Sequence, residues 1–596
     1  EFTFLKLKSN GKQDIDTLID NIDSYICEIK DNQIRTGLHI FGKIPSQDKL
    51  IELIIAIARP PQISHRGLIQ EIAYILNFKL DPWSEDETGE PSNYDTKLFI
   101  KLTGKKPRKV CNIIDYLELQ AYILIKHLLS KETNVRFELD PMLEFNKSLI
   151  YLLSTDTNNV INNIKDKIVY NIQRSTILER DNLLKSLRGE RVSSGPSGAP
   201  TRGRLEVLPT GKNFYSVDIR SLPTEASWDL GKKSSQIIID NFKLENGIDL
   251  THLALSIWAT STMRNGGEDI SQILSFMGVK PVWDYSTRCV IDLEVIPLSI
   301  LDRPRIDVLV RISGLFRDSF PQLVELLHLA QQKLSYMNEP INLNPYLKSR
   351  LENKDNSRIY GSCPGAYGAG LQELISNSNW ENKKDLVDSY LNYSKWSYKG
   401  SENPIDKIDH LKDILNNIQV VLHNQDNKEH DILDSDDYYQ FHGGLTAAVE
   451  KLSGKMPSVI IADHSRSSRP RINKLEKELD KVVRSRLLNP RWIEGIKKHG
   501  YKGAFEIGAS IDYLFGYDAT TNMVPNWCYK DILKTYLDIK ENRDFLIKNN
   551  PWVMRDISER LLEAASRKMW SNPSENDIDK LKYFVNYSES IIENSV

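Results

Sequence analysis

Residues 254–269 read Ala254-Leu255-Ser256-Ile257-Trp258-Ala259 and then Thr260-Ser261-Thr262-Met263-Arg264-Asn265-Gly266-Gly267-Glu268-Asp269. A short apolar run that gives way to a polar, glycine-containing turn predicts a buried strand with a loop at its carboxyl end. The residues after it, 270–277, have helical spacing. The unit recurs with a strand at 306–312, a loop at Ser313-Gly314 and a helix over 321–334. It recurs again with a strand at 419–422, a long polar loop, a helix over 438–452 and a strand at 458–462. Such alternation predicts parallel sheets covered by helices, with ligands met beyond the carboxyl ends of the strands. Arg264, Glu268, Arg317, His423, Asp426 and His464 all fall just past predicted strand ends, so one shared cleft is expected.

Outward from this region the texture changes. Residues 1–190 carry helical stripes, as in Ile15, Leu18, Ile19, Ile22 and Ile26, and predict a mostly helical domain continuing one begun upstream. Residues 191–207 are rich in Gly, Pro and Ser and predict a linker. Two α/β domains are expected at 208–340 and 341–475, and a helical region at 476–596. The fold class is therefore multi-domain α/β, with a helical N-terminal region, Rossmann-like parallel-sheet units in the middle and a helical C-terminal region.

With 596 residues, 40% hydrophobic and 27% charged, the composition is that of a globular protein. The 78 basic and 81 acidic residues leave a net charge of −3, which argues against a nucleic-acid partner. No apolar run reaches the roughly 18 residues of a membrane span. Five cysteines with no CxxC pair (Cys27, Cys111, Cys289, Cys363 and Cys528) are expected to be free thiols. Together with the absence of a secretory signal they give a cytoplasmic expectation.

The densest chemical constellation is the run from His423 to His442, with three imidazoles and six carboxylates in 20 residues. That mixture suits a borderline ion such as Co²⁺ better than Mg²⁺, which prefers oxygen donors. His423, Asp426, Glu429 and His430 are the candidate metal ligands. Asp434, Asp436 and His430 are the candidate catalytic groups, with helix capping by Asp434, Ser435 or Asp436 as the competing role. The glycine-rich stretch 358–372 offers Arg358, Tyr360, Ser362 and Tyr367 for a flat ligand. His464 and Arg466, with Arg264, Glu268 and Arg317, are candidates for carboxylates or amides on its edge.

The segments 208–233, 264–284, 303–323, 358–372, 423–444 and 488–507, taken in order, resemble the C-terminal half of the cobaltochelatase CobN and magnesium-chelatase H-subunit family. The stretch SCPGAYGAGLQ and the pairing of His423 with His430 side with the cobalt branch. The resemblance implies a tetrapyrrole-binding subunit acting with two AAA+-type partners (CobS- and CobT-like). These use ATP with Mg²⁺ to drive Co²⁺ into the corrin precursor hydrogenobyrinic acid a,c-diamide in cobalamin biosynthesis. Its alternatives are Mg²⁺ insertion into protoporphyrin IX and a non-catalytic tetrapyrrole-binding protein. The family's HGNLEW-type motif does not occur here, and the chain reads as part of something longer, so it is expected to bind without necessarily catalysing.

No GxxxxGK[ST] phosphate loop occurs in the sequence. The purified chain alone is therefore expected to hydrolyse no ATP. ATPase turnover that scales with chain concentration in a partner-free sample would contradict this.

Overall fold

The computed structural model describes residues 38–62, 64–132, 149, 159–215, 217–400 and 402–594. The expected helix carrying Ile15 to Ile26 lies outside them. The chain divides into two compact units, the first running to Tyr215 apart from Ile34–Leu38, the second taking in Ser216–Val596.

The first unit is helical, with Gln47–Ala58, Leu68–Ile75, Asn93–Thr103, Val110–Glu132 and Tyr170–Leu187 as its main rods. Ile51, Ile54, Leu68, Ile72, Leu117 and Leu124 meet in one core. Ser92 caps the third helix by accepting from the Asp95 amide, and Gly104 ends it in the left-handed conformation. The expected linker is structured: Ser194–Pro196 pairs in parallel with Asn213–Tyr215. Cys111 is disulfide-bonded, whereas Cys289, Cys363 and Cys528 are free; Cys27 lies outside the described residues. The free-thiol expectation fails at Cys111 because pairing depends on proximity in the fold, which spacing along the chain does not reveal.

The second unit is built on one eight-stranded sheet. In chain order its strands are β1 His252–Ile257, β2 Asp307–Ile312, β3 Ile359–Gly361, β4 Trp396–Ser397, β5 Ile405–Asp406, β6 Val420–Gln425, β7 Ser458–Asp463 and β8 Arg471–Lys474. Their spatial order is β8-β7-β6-β1-β2-β3-β4-β5. The five from β7 to β3 are parallel, and β8, β4 and β5 pair antiparallel at the two ends. Strands from both 208–340 and 341–475 thus share a single sheet.

Successive side chains of each central strand point to opposite faces, and both faces are buried. Leu253, Leu255, Val308, Val310, Val420, Leu422, Ile460 and Ala462 face one core. Ala254, Leu309, Val421, Val459 and Ile461 face the other. Continuous apolar runs of this kind are the signature of strands covered on both sides. The first face carries α1 Glu225–Asn246 and α3 Glu268–Met277, and the second carries α4 Gly444–Ser453 and α5 Gly500–Thr521. Two local expectations change. Residues read as a polar turn after β1 form the helix α2 Ala259–Asn265, which Gly266 ends in the left-handed conformation; the Thr262 hydroxyl donates back to the Trp258 carbonyl. β6 runs to Gln425, which puts His423 inside the sheet.

α5 lies so close to the segment before α4 that a β-carbon on Gly516 would sit 2.7 Å from the Tyr439 ring, and one on Gly443 2.2 Å from Thr520 Oγ1. Overpacking of about 1–3 kcal/mol opposes the helix-propensity gain of roughly 1 kcal/mol for Gly→Ala. Gly516→Ala should therefore lower stability by up to about 2 kcal/mol in denaturant unfolding, and a raised midpoint would show that the helices have slack here.

Candidate functional site

Strand order reverses between β1 and β6: chain order climbs to β2 and β3 on one side of β1 and resumes with β6 and β7 on the other. Loops leaving two such neighbours diverge and open a crevice at their carboxyl ends. The Arg264–Asp426 pair spans it, with Arg264 Nε and Nη2 donating to the two carboxylate oxygens at 3.0 and 2.9 Å. Asp426 also accepts from Asn427 Nδ2 at 2.7 Å. A bidentate guanidinium contact of this kind fixes geometry as well as charge.

Behind the pair lies a buried polar network. His464, following β7, sets Nε2 2.7 Å from Ser234 Oγ on α1 and Nδ1 3.3 Å from Glu268 Oε2 on α3. Gln272 donates to the same Ser234 hydroxyl, and Asn424 donates to Asp269 and to the Gln272 carbonyl. Burial pushes the Asp269 carboxyl up to about 7, only partly opposed by the Asn424 hydrogen bond and by His464.

On the opposite face of β6 stands a cage of rings. His423 lies 5.0 Å from Tyr438, 5.5 Å from His442 and 6.4 Å from Trp258, centroid to centroid. Trp258 and Phe441 are 4.7 Å apart, and the buried Arg311 guanidinium lies 4.6 Å from the Phe441 ring centre. A π-helical turn over Tyr439–Gly443 carries His442 inward, a local geometry frequent at functional positions. Burial lowers His423 to about 4; it lowers His442, with help from His423, to about 3. Both rings are therefore neutral at physiological pH.

The acidic segment beyond β6 divides into pinned and open carboxylates. Arg486 holds Asp434 at 2.8 Å and Asp431 at 3.0 Å. Ser435 is the helix cap, accepting from the Asp437 amide, so capping falls to the residue between the two candidate bases. Asp436, half-buried, accepts from Gln440 at 2.9 Å and pairs with no cation among the described residues. Asp437 is raised to about 6 by burial and by Asp436.

The expected metal set is not brought together. His423 and Asn424 are successive residues of a pleated strand and face opposite sides of the sheet, Asp426 is held by Arg264, Glu429 is half-buried and His430 is exposed. Among the described residues no group of three His, Cys, Asp or Glu side chains is arranged to hold an ion. Several expected ring contacts are likewise committed to the protein. Arg358 is buried on Asp307 at 2.6 Å, at the amino end of the strands, because it precedes β3. Tyr360 is core, and Ser362 donates to the Gly368 carbonyl. Arg317 clamps the glycine loop through the Cys363 and Ala366 carbonyls. Arg466 is buried, while Tyr367 is exposed beside Arg317 and donates to Asp318. The loops after β1, β6 and β7 do meet, and Gln440 accepts from the Gln372 amide to join the loop after β3. His442, Asp437, Asp269 and Trp258 were not singled out from the sequence. His442 belonged to the histidine-rich run, but only the π-turn turns it inward.

A doubly covered α/β sheet with a polar crevice at its switch point describes a class of ligand-binding architecture. Comparison with known proteins narrows it: residues 4–577 match the family model described as CobN/Magnesium Chelatase, and the chain belongs to that family. The aerobic cobaltochelatase subunit CobN of Pseudomonas aeruginosa is 39% identical over 581 residues, covering 94% of this chain and 45% of that protein. The magnesium-chelatase H-subunit of Chlorobaculum parvum is 32% identical over 403 residues, covering 66% of this chain and 32% of that protein. The catalytic subunit of cobaltochelatase from Mycobacterium tuberculosis superposes with a TM-score of 0.85 at 35% identity, covering 96% of this chain and 47% of that one. The chain thus spans less than half the length of these relatives, and it lies nearer the cobalt branch.

The Asp269 carboxyl gives a sign that can be checked. Its folded value exceeds the unfolded one, so the proton is held more tightly when folded, and stability falls as pH rises from 3.8 toward about 7. Asp269→Asn keeps an acceptor for Asn424 and removes the ionisation. It should stabilise the chain by on the order of 2–4 kcal/mol at pH 8 and by much less at pH 5; a variant less stable than wild type at pH 8 would refute the buried-acid account.

Proposed function

We propose that the chain forms part of the large, tetrapyrrole-binding subunit of a cobalt chelatase. Its reaction would insert Co²⁺ into hydrogenobyrinic acid a,c-diamide, driven by ATP that two AAA+-type partners hydrolyse with Mg²⁺. The observation that carries this reading is the higher identity to a cobaltochelatase subunit, 39% over 94% of the chain, than to a magnesium-chelatase subunit, 32% over 66%. The same comparisons support membership of a multi-subunit complex.

Insertion exchanges two ring N–H protons for one dication, so the site needs a flat-ring binding surface, a proton acceptor and ligands that release the ion. Asp436 is the proton acceptor in this reading, because its carboxylate meets only an amide donor while Asp434 is held by Arg486. Glu429 and the exposed His430 lie in the loop after β6 and serve as transient ligands during delivery. Tyr367, exposed on the clamped glycine loop, supplies a ring face, and Arg264 holds the mouth of the crevice open by fixing Asp426.

The test is insertion measured with the full-length protein, both partners and ATP, offering Co²⁺, Mg²⁺ and Ni²⁺ separately. Cobalt should be preferred. Asp436→Ala should abolish insertion while leaving ring affinity within about tenfold, or about 1.4 kcal/mol. Normal insertion by a folded Asp436→Ala, His430→Ala double variant would remove these roles, and a preference for Mg²⁺ would overturn the cobalt reading.

A further inference from the structure

The His423–His442 pair presents four buried ring nitrogens; those of His423 have no hydrogen-bond partner, and His442 has only the Val421 main chain beside it. His423 is 1% exposed and His442 0%. The Tyr517 hydroxyl and the Trp258 indole N–H are buried without partners as well; Tyr517 stands 6.2 Å from the His442 ring and Trp258 6.4 Å from His423. Buried polar atoms are nearly always satisfied, so this many orphans together mark a place where the folded protein holds something.

We propose that His423 and His442 are two ligands of a single transition-metal dication held inside the aromatic cage. A metal–nitrogen bond of about 2.0–2.1 Å, plus about 1.2 Å from nitrogen to ring centre, places each centroid about 3.2 Å from a shared ion. Two such arms reach the observed 5.5 Å separation at an angle of about 120°, close to that of a trigonal or tetrahedral site. The Val421 main chain beside His442 is where the outer N–H of a ligating imidazole would be received. Tyr517 and water are the groups left to complete the shell. Among the described residues no carboxylate enters this cage, although Asp426, Asp434 and Asp431 act on Tyr438 at its wall. The site therefore selects nitrogen-preferring ions such as Co²⁺, Ni²⁺ or Zn²⁺ over Mg²⁺. Only the choice of cobalt as the natural ion rests on the chelatase reading; the ligands do not.

The experiment uses the chain stripped with chelator, incubated with CoCl₂ at pH 7 without tetrapyrrole, ATP or partners, and desalted. Because both rings are buried, uptake should take hours. One retained cobalt per chain is expected, with visible absorption of a low-coordinate Co²⁺ site. His423→Gln and His442→Gln should each weaken retention at least tenfold, and His328→Gln, on a helix remote from the cage in sequence and given no role in metal handling, should not. X-ray absorption on wild type should report two imidazoles, and it decides the matter if either variant fails to fold. Retention unchanged in both variants, a cobalt shell without imidazole, or an ordered water between the rings with no retained metal would overturn the proposal. An insertion failure with retention intact would fall on the chelatase reading alone.

Discussion

The pleat of β6 constrains everything around it. Val420, Leu422 and Asn424 face the layer of α1 and α3, while Val421 and His423 face the layer of α4 and α5. A period of two cannot be negotiated residue by residue, since a slip of one would carry the whole set through the sheet. The strand is locked by parallel pairing to β7 over six residues and to β1 over three. One segment of chain consequently feeds two separate environments, a hydrogen-bonded carboxylate network on one side and a cage of neutral rings on the other.

The two environments settle the cost of burial differently. In the network the polar side chains face one another: Arg264 holds Asp426, and His464 sits beside Glu268. In the cage the histidines have lost their charge, because desolvation costs an unpaired buried ion several kcal/mol and a proton is easily given up. Arg311 keeps its place beneath Phe441 by hydrogen bonding to Ser394 and Ser362. That leaves the π-turn at Tyr439–Gly443 supported from below by Arg311 and from above by α5, where Gly516 permits the helix to touch Tyr439.

The central strands and most helices of the second unit were legible because a doubly covered parallel strand announces itself as an unbroken apolar run. The convergence of Arg264, Glu268, Asp426 and His464 was legible for a related reason: loops at the carboxyl ends of parallel strands have nowhere else to go. The short strands β3, β4, β5 and β8 were missed, being two to four residues long and carrying too few positions for any period to register. The ligand set was misread for a physical cause. Proximity in sequence between His423 and His430 concealed both the pleat and the end of the strand at Gln425, after which the chain turns outward and His430 meets solvent. Arg358 misled similarly, since a basic residue beside a glycine loop looks like a ligand contact until β3 places it at the other end of the sheet.

Which carboxylate is left for chemistry follows from a cation far away in sequence. Arg486, in the π-helical stretch Val483–Leu487, reaches back to Asp431 and Asp434, and Ser435 commits its hydroxyl to the helix cap. Asp436 is then the one member of the Asp434-Ser435-Asp436 triplet whose side chain meets neither a cation nor a backbone amide among the described residues, and it shares its Gln440 partner's other end with the glycine loop at Gln372. Its neighbour Asp437 is raised by burial and by Asp436 itself, so the two carboxylates are close enough to act on one another. Neither the spacing of the acids nor their number distinguishes Asp434 from Asp436; the fold does so by supplying an arginine to one and only an amide to the other.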